Sequence, residues 1–213
     1  MTEVQARHTK QLAVMRGYLD GREFYVAADA LEFVRQLEQG TRKDGETPKF
    51  HHQLSIARLV HTLAPHLIHP ERAIAAAFLH DVLEDHGATI SREDLAERFG
   101  RELADIVWRL SKKSNGLAKE YDLYFGELGT CATGSVVKLA DRAHNIQTMQ
   151  GVFDYAKQAA YMKEGEDWFY PLIRTARRAF PRQYGAYENL KILLRCQCSL
   201  IQFIHATADG GTG

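Results

Sequence analysis

The sequence predicts an all-α fold, a single-domain helical bundle of about nine to eleven helices. Three observations carry that expectation. Apolar residues recur at helical spacing over nearly the whole chain. No run of alternating apolar and polar residues is joined to another by an Asn-Gly or Asp-Gly turn, so a sheet has little to be built from. At 213 residues the chain is long enough for one full hydrophobic core and short for two.

Taken in order, Ala27 to Leu37 shows helical spacing and Gly40 stops it before a polar loop, Thr41 to Lys49. A second helix is expected from Leu54 to Leu63. A third starts at Pro70, where proline suits the first turn, and runs to Asp85 before Gly87. Ser91 reads as the N-cap of a short helix that stops at Gly100, and Glu102 to Leu110 resumes the pattern. Lys112 to Gly116 is a polar break. Leu117 to Leu128 is expected to be helical, Gly129 to Gly134 a loop, and Val136 to Met149 a helix with one apolar face. Two or three helices follow to Ile204, broken at Gly151, Gly165 and the Phe180-Pro181 step, because the residue before a proline avoids helical geometry. Residues 1–207 are read as one domain, with core chemistry in about 27–150 and packing helices in 151–207, and 208–213 as a disordered tail.

Composition narrows the function. With 45% hydrophobic and 25% charged residues the chain matches an ordinary globular protein, and no stretch approaches the eighteen or so apolar residues of a membrane span. Met1 to Lys10 lacks the apolar segment of a secretory signal, so the expected compartment is the cytoplasm. The 27 basic and 27 acidic residues cancel, which argues against long nucleic acid as partner and leaves a small nucleotide held by local charges; a homo-oligomer remains open. Cys131, Cys196 and Cys198 have no metal-type spacing and read as structural thiols on buried helix surface. The ten histidines are unevenly placed, crowding between His51 and His80.

Three elements carry ionisable groups into apolar surroundings. In Phe78-Leu79-His80-Asp81-Val82-Leu83-Glu84-Asp85, helical spacing aligns His80 with Glu84 and Asp81 with Asp85. Buried, such groups must pair, cap the helix or hold a cation. In Val136 to Thr148, Asp141, Asn145 and Thr148 form a polar stripe at i, i+4 and i+7 that suits a cation with an attached phosphate or ribose. Phe50-His51-His52 opens the second helix. His52, His80, Asp81 and Asp141 together make a nitrogen and oxygen set suited to Mn²⁺, Fe²⁺ or Zn²⁺. His61, His66 and His69 read as surface or satisfied core residues, and His8, His86 and His205 show no partner in the sequence.

The order His52, His80-Asp81, Asp141 resembles the pattern that names the HD phosphohydrolases. Arg42-Lys43-Asp44-Gly45-Glu46-Thr47-Pro48 leading into His52, the Glu84-Asp85 pair, and Lys138-Leu139-Ala140-Asp141-Arg142-Ala143-His144-Asn145 resemble the hydrolase domain of RelA/SpoT proteins and their small stand-alone relatives. The resemblance covers roughly Ala27 to Thr148. It implies that His52, His80, Asp81 and Asp141 bind Mn²⁺, that Glu84 and Asp85 work on the attacking water, that Arg42 and Lys43 lie against the guanine, and that Asn145 and Thr148 hold the ribose and phosphate side. Lys138 and Arg142 are further candidates for matching the phosphates. The reaction implied is hydrolysis of the 3′-pyrophosphate of a guanosine alarmone, giving GDP or GTP and pyrophosphate. Lys49, Gln53 and Leu37 depart from the family, which commonly has Tyr, Pro and a His there. A synthetase domain is not expected in the residues after Met149. The competing readings are a nucleotidase, pyrophosphatase or NADPH phosphatase with the same metal, and a nucleotide-binding module without catalysis.

Overall fold

The computed structural model describes residues 2–41, 45–114 and 117–210. Arg42 and Lys43 therefore lie outside the described residues. The helices are α1 (Glu3–Gly21), α2 (Tyr25–Leu37), α3 (His51–Thr62), α4 (Pro70–Leu79), α5 (Val82–Asp85), α6 (Arg92–Phe99), α7 (Arg101–Leu110), α8 (Tyr121–Gly129), α9 (Ala132–Thr148), α10 (Tyr155–Glu164), α11 (Tyr170–Ala179) and α12 (Tyr184–Gly210). Setting aside the single turn α5, and counting α10 and α11 as the one rod they form, ten helices are present among the described residues. The all-α expectation holds. Among the described residues one pair of strands occurs, β1 (Lys113–Ser114) and β2 (Leu117–Ala118), which are antiparallel over two residues each.

Helix α4 is the axis of the core. Ala73 through Leu79 are all buried, and α2, α3, α7 and α9 pack around them. A run of three alanines, Ala75 to Ala77, leaves no side-chain bulk to hold the neighbouring helices apart, so α4 is enclosed on every side. Helix α9 is buried along most of its length, Lys138, Asp141, Arg142 and His144 included. A core that encloses charged side chains must pair them, and those pairs mark the site described below.

Local chemistry accounts for most of the boundaries. Ser91 caps α6 and exchanges hydrogen bonds with Asp94 in a capping box, as the sequence predicts. Gly100 takes φ +88°, a conformation that L side chains rarely adopt, and this separates α6 from α7. Phe180 leaves the helical region before Pro181, and a short 3₁₀ turn over Pro181–Gln183 leads into α12.

Several boundaries differ from expectation. Helix α1 has no clear periodic signal in the sequence because its surface is polar almost all round, with only His8, Met15 and Leu19 buried. Leu117 and Ala118 form β2 rather than the start of a helix, since the chain must turn back on β1 before α8 begins. Gly134 lies inside α9, whose first turn is capped by the Cys131 Sγ accepting from the Gly134 N–H at 3.2 Å. Gly165 opens a π turn, Gly165–Phe169, that joins α10 to α11 without a break. Helix α12 continues to Gly210, past the expected start of the tail at Ala208. Cys196 is exposed rather than buried.

Candidate active site

Sequence periodicity predicts a single helix from Pro70 to Asp85, but α4 ends at Leu79 and α5 begins at Val82. His80 and Asp81 occupy the junction, where Asp81 takes φ −100° and ψ −4°. The difference matters chemically. Adjacent side chains of a regular helix point about 100° apart, so His80 and Asp81 would diverge there. At the junction they converge, with His80 Nε2 2.8 Å from Asp81 Oδ2.

Two more elements complete the cluster. His52, in the first turn of α3, places Nε2 3.6 Å from Asp81 Oδ2 and 3.4 Å from Asp141 Oδ1. Asp141, in the middle of α9, lies 3.8 Å from His80 Nε2. The structure thus brings His52, His80, Asp81 and Asp141 together. Ligand atoms of His52, His80 and Asp81 all lie within 4.8 Å of one another, a spacing that a single metal ion spans.

The donor set fits a divalent cation. His80 Nδ1 lies 2.9 Å from the carbonyl of Ala77, which orients the ring and leaves Nε2 directed inward. That Nε2 is buried and makes no hydrogen bond of acceptable geometry, although the Asp81 carboxylate is adjacent. A lone pair facing a carboxylate at 2.8 Å is repulsive unless a proton or a metal ion lies between them. Without a cation the proton fills that role. Burial opposes charge on His52, but Asp141 and Asp81 push it up to about 9, and His80 is raised by Asp81 in the same way. Burial would raise both carboxyls, yet the imidazoles, with Lys138 at Asp141, hold Asp81 and Asp141 below the usual range.

Asp141 is held from two sides. Lys138 Nζ donates to its Oδ2 at 3.0 Å and Asn145 Nδ2 to its Oδ1 at 2.7 Å. Lys138 is itself buried. Burial disfavours its charge, but the Tyr124 hydroxyl and the Asp141 and Asp81 carboxylates hold it well above the usual lysine range. Arg142 does not join the cluster. Its guanidinium is buried, pairs with Glu164, and lies over the rings of Phe169 and Tyr161 at 4.1 and 4.7 Å. The expectation that Arg142 matches substrate phosphates has no support in that placement, because its charge is already matched inside the core.

Asn145 links the cluster to a cleft of about 740 Å³, lined by Thr41, Thr47, Lys49, His51, Asp85, Asn145, Thr148, Met149, Val152 and Phe153. Of the predicted substrate contacts, Asn145 and Thr148 line it, and so does Lys49. Glu84 and Asp85 do not share one environment. Glu84 accepts a hydrogen bond from the Lys112 backbone N–H and faces a second cleft with Trp108 and Lys113. Asp85 borders both clefts and is open to solvent on one side. The protein crowding its other side, and then Asp81, Glu38 and Glu84, push its carboxyl up. A cavity of about 510 Å³ beside α2 and α7 lies away from this chemistry, and no predicted site residue lines it.

Some relevant groups were not found from the sequence. His144 contacts His52, with the two Nδ1 atoms 2.9 Å apart. His86 pairs with Glu38 at 2.8 Å, His8 approaches His51 at 3.3 Å, and His205 meets Gln158 at 2.9 Å. Each partner is at least 43 residues away, beyond the reach of helical spacing. Phe153 and Val152 line the cleft from the loop after α9, where the expected break at Gly151 drew no attention to them.

Residues 30–119 match the family model described as an HD domain. That segment is similar to an HD domain. The matched segment contains His52, His80 and Asp81, and Asp141 lies beyond it. Over 142 residues the chain is 34% identical to the probable guanosine-3′,5′-bis(diphosphate) 3′-pyrophosphohydrolase of Synechocystis, a match covering 63% of this chain and 18% of that protein. It is 32% identical over 147 residues to the guanosine-3′,5′-bis(diphosphate) 3′-pyrophosphohydrolase of Haemophilus influenzae, covering 65% and 21%. A GTP pyrophosphokinase of Brucella melitensis is 30% identical over 151 residues, covering 67% and 19%. The chain spans about a fifth of the length of the curated relatives it matches. No helix of the described residues is long and apolar enough to cross a membrane.

Proposed function

We propose that the chain hydrolyses the 3′-pyrophosphate of a guanosine alarmone, releasing pyrophosphate and leaving GDP or GTP. The observation that carries this reading is the hydrogen bond from Asn145 to Asp141, which joins the His52, His80, Asp81 and Asp141 cluster directly to a nucleotide-sized cleft. The names of the relatives support the same substrate class. We assign the four clustered residues as ligands of a divalent cation, Mn²⁺ by preference, with Fe²⁺ and Zn²⁺ compatible with the same donors. Such a cation supplies Lewis acidity, neutralising phosphate charge and lowering the pKa of water.

The chain's own residues do the rest. Asn145 and Thr148 hold the ribose and the 3′ side, while Lys49 and Phe153 offer a cation and a ring face further along the cleft. Lys138 stays with Asp141 and keeps that carboxylate ionised. Asp85 carries the proton: its raised carboxyl is closer to neutrality than an ordinary aspartate, and it borders the cleft. Water attacks the phosphorus attached to O3′, the O3′–P bond breaks, and the proton lost by the water reaches the departing O3′ through Asp85. Glu84, anchored on the Lys112 N–H, holds the α5 turn in place.

A panel of nucleotides incubated with Mn²⁺ tests this, scored separately for pyrophosphate and orthophosphate. The expected result is pyrophosphate from guanosine 3′-pyrophosphates, abolished by chelator and slowed about 10²–10⁴-fold in Asp85→Asn. Orthophosphate from other nucleotides, with no pyrophosphate from the alarmone, would assign the chain to a different HD phosphohydrolase activity.

A further inference from the structure

His144 lies on α9 three residues after Asp141 and is buried. Its Nδ1 is 2.9 Å from the Nδ1 of His52, and the two ring centroids are 4.9 Å apart. The other nitrogen of His52, Nε2, is the one that faces Asp81 and Asp141. A neutral imidazole has one N–H and one lone pair. If Nε2 directs its lone pair at a cation, the proton must sit on Nδ1, and the atom within hydrogen-bond distance of that proton is the His144 Nδ1. His144 must then accept, with its own proton on Nε2. The opposite arrangement, with His144 donating, would move the His52 proton to Nε2 and remove the lone pair from the donor set.

We propose that His144 is a positioning residue that sets the tautomer and ring plane of His52 in the cation site. This rests on the divalent-cation reading above. A parallel within the site supports it. His80 is held through its Nδ1 by the Ala77 carbonyl at 2.9 Å, inside its own stretch of chain. Among the described residues, the hydrogen-bond and ion-pair partners of the His52 side chain are Asp81, Asp141 and His144, none of them in its own stretch of chain. Both histidines of the donor set are thus oriented through Nδ1, one by a backbone carbonyl and one by a side chain from α9. Only the second can be removed by substitution. The arrangement also explains why His144 is buried beside Asp141: the helix that supplies one ligand orients another.

The test is Mn²⁺ binding by isothermal titration calorimetry to chelator-treated protein, with thermal melts in chelator to check folding. His144→Asn keeps an oxygen acceptor near the Nδ1 position and is expected to bind Mn²⁺ within a few-fold of the unsubstituted protein. His144→Leu should bind roughly 10–100-fold more weakly, the usual range for losing an outer-sphere partner. His144→Gln, whose amide reaches the Nε2 position instead, should resemble Leu and carries the comparison if Leu does not fold. Equal affinity in all four proteins, or an Asn variant as weak as Leu, would overturn the proposal and leave the cation site standing. Failure of the unsubstituted protein to bind either Mn²⁺ or Zn²⁺ would overturn both.

Discussion

The Glu164 carboxylate accepts from three side chains. Arg142 pairs with it, Lys112 Nζ approaches at 3.1 Å and the Tyr121 hydroxyl at 3.0 Å. Burial works against its charge, but Arg142 and Lys112 hold its carboxyl below the ordinary value of 4.5. A depressed carboxyl contributes stability that is present above the unfolded pKa and is lost as pH falls through the folded one. Glu164→Gln should therefore lower the melting temperature at pH 7, since Arg142, buried between Phe169 and Tyr161, loses its counter-charge at a cost of about 3 kcal/mol. The deficit should shrink as pH falls below about 4.5, and vanish once pH has passed the lower pKa of the folded carboxyl and the unsubstituted side chain is neutral too. Melts across that range decide it, and a deficit that persists in acid would mean that charge is not what Glu164 contributes. The same contact shows what single residues reveal in sequence. His52, His80, Asp81 and Asp141 were legible because polar groups interrupting apolar helices have few reasons to be there. The inward placement of Arg142 is not legible in the same way, because its counter-ion stands 22 residues away and nothing in its neighbourhood distinguishes an inward guanidinium from an outward one.

At the scale of elements, periodicity locates α2, α3, α6 and α7 to within a few residues because each has a distinct buried face. It failed for α4 and α5. The apolar run from Ala73 to Leu79 is buried all round, so it carries no phase, and the run continues through Val82 and Leu83 without a proline or glycine to mark the junction. The break is set by tertiary context, and it is what turns His80 and Asp81 toward one point. Enclosure also makes α4 sensitive. Ala76 has no exposed surface and neighbours on all sides, so Ala76→Leu should cost about 1–3 kcal/mol through overpacking. That corresponds to a fall in melting temperature of roughly 2–10 °C for a chain of this size. Because α4 leads directly into His80, the same substitution should weaken Mn²⁺ binding, whereas Ser91→Ala, which removes only a cap of about 1 kcal/mol, should leave it unchanged. Equal metal affinity in Ala76→Leu and the unsubstituted protein would show that the junction is insulated from the packing of α4.

For the molecule as a whole, a cation held as proposed would act as a cross-link. Its donors come from α3, the α4–α5 junction and α9, a span from His52 to Asp141 that the unfolded chain does not hold together. An ion that binds only the folded state stabilises it by mass action, by about 2.7 kcal/mol at a free concentration one hundred times the dissociation constant. For a chain of this size that is a rise of roughly 5–10 °C in melting temperature, and it should keep climbing with added Mn²⁺ after the site is full. The pH dependence has a defined sign. Burial opposes the imidazolium of His52, yet Asp141 and Asp81 push its pKa up to about 9 when no metal is present. Below that pH the incoming cation must displace a proton, so metal binding releases protons and the thermal gain should grow as pH rises toward 9 and shrink in acid. His80→Ala removes one ligand without disturbing the helices that surround it, and should abolish the Mn²⁺-dependent rise while the melt in chelator stays cooperative. A rise that survives in His80→Ala would place the stabilising ion elsewhere on the molecule. No rise in the unsubstituted protein would mean that the four donors are satisfied by protons alone, and would remove the basis for metal-assisted hydrolysis.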